Sequence, residues 1–271
     1  MFKSLIRLKN RIRIVFFVAV IFVSYFIMAF SYTQRADASG LFGVKLKGGA
    51  YFQHLSGSVS VGNSGGLLLP TTISPSDIGL QTSKTEPIGK IVLNILYSNR
   101  VSFSYVPYNY TGSKTLSESI NFNGQAYNIN TYVTSKLNLN SYKLFYTHNF
   151  SINRYAEIGL GVGVDVFTAT VELDSQQYGN QSISVRAPIP LIGARLKISP
   201  ASFLSFVGKL QGLTIGSKGY YYHFNLGVNV KPVQHLAVFA GYSYDNIHVN
   251  TSNVDGTITF KGPEVELRLK F

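Results

Sequence analysis

A period of two runs through most of this chain. Between residues 43 and 271, apolar and polar side chains alternate in stretches of roughly ten residues divided by turn residues. The clearest stretch is Tyr220 to Lys231. Tyr220, Tyr222, Phe224, Leu226, Val228 and Val230 fall on one side of it, and Tyr221, His223, Asn225, Gly227, Asn229 and Lys231 on the other. Successive side chains of a strand point to opposite faces, so this ribbon is apolar on one face only. Residues 156–166 set Ile158, Leu160, Val162, Val164 and Val166 against Glu157, Gly159, Gly161, Gly163 and Asp165. Near the end, Val265, Leu267, Leu269 and Phe271 oppose Glu264, Glu266, Arg268 and Lys270. Helical periodicity is absent, so the fold class is all-β.

Two architectures tolerate such ribbons. A soluble sandwich hides the apolar faces and wets the polar ones. A transmembrane barrel turns apolar faces to lipid and polar faces to its lumen. The first 38 residues favour the barrel, because they read as an export signal. Lys3, Arg7, Lys9, Arg11 and Arg13 precede an apolar run from Ile14 to Phe30, and Ala36-Asp37-Ala38 has small residues at both outer positions. That is the pattern of a signal-peptidase site, with cleavage expected after Ala38 and a mature barrel at 39–271. The alternative is an uncleaved anchor, for which the run is long enough. Cleavage would lower the net charge from +12, leaving basic residues that are scattered rather than blocked, so no nucleic acid is expected as a partner. Cysteine is absent, which excludes disulfides and thiolate chemistry.

Ten strands are expected, within a range of eight to twelve, near 43–57, 88–97, 101–112, 132–150, 156–173, 183–198, 202–214, 219–231, 236–249 and 256–271. Connections after even strands are tight, and those at 58–87, 113–131 and 174–182 are longer. Short periplasmic turns and longer outer loops are the outer-membrane pattern, and closure would leave no sheet edge in lipid. Asn123-Gly124 marks a hairpin projecting above the membrane within 113–131.

On these residues the chain resembles bacterial outer-membrane β-barrel proteins, broadly the small barrels of the OmpA/OmpW type. The resemblance covers the whole mature chain. A terminal Phe271 preceded by Leu269, Leu267 and Val265 looks like the sorting signal read by the barrel assembly machinery. The resemblance implies that this machinery, outer-membrane lipid and lipopolysaccharide are the partners, in a Gram-negative envelope. It specifies no cofactor and leaves the oligomeric state open. The lack of tryptophan and the ten-strand length depart from the smallest relatives.

If the apolar faces meet lipid, the lumen receives Lys45, Lys47, Lys90, Lys143, Arg195, Lys197, Lys209, Lys231, Arg268 and Lys270, with Glu157, Asp165, Asp245, Glu264 and Glu266. One reading is a self-paired network that fills the barrel, because eight strands leave a barrel filled and ten is close to that. The other is a narrow cationic channel that passes small solutes or ions and prefers anions. Gly159, Gly161 and Gly163 lie inside a strand, where they leave room for long charged side chains or bend the strand, rather than cradle a phosphate. No enzyme is expected: there is no G-x-S-x-G elbow and no metal-binding spacing. A barrel enzyme would need its histidine or acid at the extracellular rim, and His223 with Asp245 is the single pair to test. The alternative role is surface binding or lipid modification through the outer rim. There, Gly65 to Pro70, with three leucines, is expected to pack against Ile73 and Ile78.

Overall fold

The computed structural model describes residues 42–61, 71–96, 98–214, 216–250 and 254–271. The expected export segment, with Ala36 and Ala38, and the Gly65 to Pro70 stretch lie outside them.

In chain order the strands are β1 (Phe42–Val61), β2 (Thr71–Ile73), β3 (Ser83–Ile95), β4 (Asn99–Thr115), β5 (Ile120–Phe122), β6 (Gln125–Tyr127), β7 (Tyr132–Ser151), β8 (Ala156–Ser175), β9 (Gly179–Ala201), β10 (Leu204–Thr214), β11 (Gly219–Val233), β12 (Leu236–Asn250) and β13 (Val254–Lys270). All but β2, β5 and β6 form one antiparallel ring in sequence order, β13 pairs back on β1, and the short β2 adds to the outer end of β1. The result is the expected closed ten-stranded barrel. Closure satisfies the backbone of the first and last strands together, which an open sheet in hydrocarbon could not do.

The barrel is inverted relative to a soluble protein. Phe206, Leu210, Phe224, Leu226 and Leu267 are exposed on its outside, while Asn225, Ser243, Asp245, Glu264 and Glu266 are buried inside. Only a lipid solvent makes that arrangement favourable. Aromatic rings collect near both ends of the outer face. Tyr105 and Tyr142 pack together, with ring centroids 5.1 Å apart, toward the long-loop end. Phe42, Phe150, Tyr155, Phe203 and Phe271 are exposed toward the short-turn end.

Three expected connections differ from the structure. The first is shorter than 58–87, because β1 runs on to Val61 and β3 begins at Ser83. The segment expected as a loop at 174–182 is a turn between Ser175 and Gly179. There Thr170 faces Ser184 and Glu172 faces Ser182 across β8 and β9. Above lipid, pairing no longer demands one apolar face, so the alternation fades while the backbone ladder continues.

The third difference concerns the Asn123-Gly124 hairpin. It forms as β5 and β6, with φ of 53° at Asn123 and 79° at Gly124. Two positive values are what a two-residue turn of the hairpin type requires. It does not project freely. Ile120, Phe122 and Tyr127 are buried in one apolar cluster with Ile73, Ile78 and Leu80 of the first connection. The inward residues Tyr51, Leu55, Tyr108, Tyr110, Leu137, Leu139, Phe167 and Phe260 belong to the same cluster. The outer mouth is thus filled by side chains from both long connections. The physical reason is that the hairpin's apolar face is covered only where the strands also turn apolar residues inward.

Candidate functional site: the charged lumen

Beneath this cap the interior is polar. Asp245 on β12 lies directly opposite His223 on β11. Its Oδ1 accepts a hydrogen bond from the Tyr221 hydroxyl at 2.8 Å and lies 2.8 Å from His223 Nδ1. Lys143 Nζ donates to the Tyr221 hydroxyl at 2.9 Å and sits 3.4 Å from Asp165 Oδ2. Ser141 Oγ donates to Asp165 at 2.8 Å. A continuous chain of charged and hydroxyl groups therefore joins β7, β8, β11 and β12 across the lumen.

A second group hangs on the last strand. Glu266 accepts from Lys90 Nζ at 2.7 Å, and from Arg268 Nε at 2.8 Å and Nη2 at 2.6 Å. Glu264 accepts from Asn225 Nδ2 at 2.8 Å and from Ser243 Oγ at 3.0 Å. On the far wall, Glu157 is ion-paired with Arg195. Each of the five lumen acids named from the sequence has a partner, and the space left at this height is about 80 Å³, room for a few waters.

The His223–Asp245 pair is brought together, though not at the extracellular rim. It lies within the lumen, below the apolar cap. Replacing Asp245 with Asn should cost about 1–3 kcal/mol, because two donors lose a charged acceptor in a buried network. The midpoint of urea unfolding in detergent micelles measures this. Asp245 is buried, whereas His248, three residues on, packs against Tyr220 with ring centroids 5.0 Å apart.

Two of the three inward glycines of β8, Gly161 and Gly163, make room for an aromatic ring rather than for charged side chains, whereas Gly159 lies beside Thr147, Asn149 and Arg195. A β-carbon added at Gly161 or Gly163 would fall 2.6 or 2.5 Å from the ring of Phe145. Phe145 thus lies flat on β8. Phe239 does the same on β11 and β12, where a β-carbon at Gly227 or Gly241 would come within 2.5 or 2.6 Å of its ring. The Arg268 guanidinium stacks on Phe239 at 3.9 Å. Phenylalanines on a mainly polar face were passed over in the sequence, although their register with glycines on adjacent strands would have located them.

Two inward charges were also missed. Arg100, assigned to a turn, is the second residue of β4 and shares the inward parity of Ser102 and Ser104. Glu86, assigned to a loop, is buried on β3 and pairs with Lys84 Nζ at 2.9 Å.

Toward the short turns the lumen widens into a cavity of about 680 Å³. Turn residues Ser202, Phe203, Gln234 and His235 line it, together with Leu269 and Lys270 from the end of the last strand, so it opens at the short-turn end. Val265, Leu267 and Leu269 of the expected sorting signal are exposed on the outside of β13, and Phe271 is exposed at its end. Among the described residues, no group of three or more metal-ligating side chains is assembled.

No family model matches the chain, and no curated protein matches it. Among solved structures, it is similar to the outer membrane protease OmpT from Escherichia coli. The TM-score is 0.56 at 9% identity, over 89% of this chain and 100% of that one. Ail, the attachment invasion locus protein of Yersinia pestis, is more distant, with a TM-score of 0.40 at 10% identity over 85% of this chain and 99% of that one. At such identities the likeness to OmpT speaks for fold alone. Closure through β1 and β13, lipid-type side chains outside and charges inside agree with it: the chain has the fold of a small outer-membrane β-barrel with ten strands.

Proposed function

We propose that the protein is a structural outer-membrane barrel whose lumen is closed to through-flow and whose lumen acids are all held in a network of paired charges and hydrogen bonds. The observation that carries this reading is the apolar cap over the outer mouth, stacked on a layer of paired charges with about 80 Å³ of free space. Of the two readings open in the sequence, the filled lumen fits better than the anion-selective channel, since a path would have to cross both layers. Outer-membrane lipid is then the solvent of the outer face. Lipopolysaccharide is the neighbour of the outer rim, and the assembly machinery is the partner that inserts the barrel.

In this reading the protein is no enzyme. The His223–Asp245 pair is engaged by Tyr221 and lies where a substrate from outside cannot reach it. The second reading, binding at the surface, draws on one observation. β7, β8 and β9 have 20, 20 and 23 residues, well beyond the roughly 9–11 needed to span a bilayer. They carry a rim above the lipid.

Single-channel recording tests the closed lumen. Protein extracted from membranes and inserted into a planar bilayer should give no steady conductance steps. Steady, anion-preferring steps would overturn the reading.

A further inference from the structure

The charge balance of the lumen is uneven along its axis. Four of the five acids sit at mid-height with their partners. Glu157, at the start of β8 and opposite Lys197 in the register, is near the short-turn end and is taken up by Arg195, and the cavity there has no carboxylate in its lining. Lys45, Lys47, Arg100, Lys197 and Lys209 line it, and none of them lies within 4 Å of a carboxylate among the described residues. At its rim Lys231 and Lys270 are equally without an ion pair to a carboxylate among the described residues. Only Arg195 and Arg268, also in the lining, are neutralised, by Glu157 and Glu266.

The strand register makes this crowding closer still. Lys45 is directly opposite Lys270, Lys47 stands between Lys90 and Arg268, and Lys209 is opposite Arg195. Like charges placed directly across a ladder destabilise it. Walls of low dielectric strengthen the repulsion and focus the positive potential into the cavity. The mid-height layer shows that this barrel can pair a buried cation when a carboxylate is supplied. At the short-turn end Glu157 is the one carboxylate supplied among the described residues, and Arg195 takes it, although residues of eight strands line the space.

We propose that this vestibule is a binding site for a soluble anion carrying several clustered phosphate-type charges, entering from the short-turn, periplasmic side. Its volume of about 680 Å³ is within the range of roughly 300–1,000 Å³ that small-molecule sites occupy. Lysine ammoniums act as point charges toward phosphate oxygens, and the Arg100 guanidinium adds a planar donor fork. A multivalent anion relieves several of the opposed pairs at once, which a monovalent one cannot. The site lies inside the closed sheet, so a lipid headgroup held in the surrounding leaflet has no path to it. The periplasmic direction of entry rests on the outer-membrane reading above, and the binding itself does not.

The test uses whole protein extracted from membranes in a non-ionic detergent, with inorganic tripolyphosphate as the probe in titration calorimetry. Saturable binding is expected, stronger than that of inorganic monophosphate and weakened by added salt. Replacing Lys47 and Lys209 together with Gln should weaken it about tenfold or more. Lys136→Gln, on the exposed outer part of β7, should leave it unchanged. The heat-dependent shift in gel mobility expected of folded barrels shows whether each variant is folded. If the double variant does not fold, Arg100→Gln alone provides the same comparison. No saturable binding to folded protein, or binding indifferent to these substitutions, overturns the proposal. Displacement of tripolyphosphate by phosphatidylglycerol in the micelle would overturn the assignment to a soluble ligand. Conductance recorded on the same preparation reports separately on the closed lumen, so the two failures are told apart.

Discussion

Glu266→Gln should lose about 3–5 kcal/mol of stability, the cost of leaving buried charge without its counter-charge. The carboxylate is almost wholly buried and holds two cations, Lys90 on β3 and Arg268 on its own strand. Lys47 lies between those two in the register. A neutral amide keeps the shape and some hydrogen bonds but leaves three cations on adjacent strands with no nearby anion except Glu264, whose Oε1 is 3.9 Å from Lys90. The loss is read as a fall in the urea midpoint of the folded barrel in micelles, with an unchanged slope. Lys90→Met added to Glu266→Gln should restore part of it, because groups in one network couple. Full stability in the single variant would mean that water reaches Glu266 and that the layer is not the closed network described.

Phe239→Ala should be comparably damaging, at about 3–5 kcal/mol, the usual range for truncating a buried phenylalanine. Its ring is fully buried, fills the space left by Gly227 and Gly241, and carries the Arg268 guanidinium on its face. Truncation therefore empties two glycine positions and removes the platform that orients the Arg268 fork toward Glu266. Because both variants act on Arg268, their effects should be less than additive when combined. The same unfolding measurement checks this. Additive losses would show that the ring and the carboxylate act independently.

The fold was largely legible because lipid imposes a rule on every residue of the outer band. Within the lipid band the outward positions of β10 to β13 are mainly apolar, as at Phe206, Leu210, Phe224, Leu226, Val238, Val265 and Leu267, so their faces and order follow from parity. The His223–Asp245 pair was legible for the same reason: two inward residues on neighbouring strands. Legibility ended where the rule stops applying. Along the outer part of β7 the pattern inverts, with Val133, Leu137 and Leu139 buried inward and Thr134, Lys136 and Asn138 on the other face, so the parity that marks lipid lower down does not by itself reveal the cap above the lumen. The hairpin could be placed from Asn123-Gly124. Its inward packing could not, because that depends on residues far apart in the chain, from Tyr51 on β1 to Phe260 on β13. Arg100 escaped because it adjoins a turn, and Phe145 because a single aromatic on a polar face carries no period.

Pairing of β13 with β1 has one more consequence. The Phe271 backbone N–H donates to the Val44 carbonyl at 2.9 Å, so the first and last strands leave the ring side by side on one rim. Every strand then has two neighbours, and none is geometrically first. A rearranged chain that joins the end of β13 to the start of β1 and opens instead between Ser202 and Phe203 would keep every strand's neighbours and both sides of its wall. The order in which the strands are written is one cut through a cycle, and the barrel itself does not record where that cut was made.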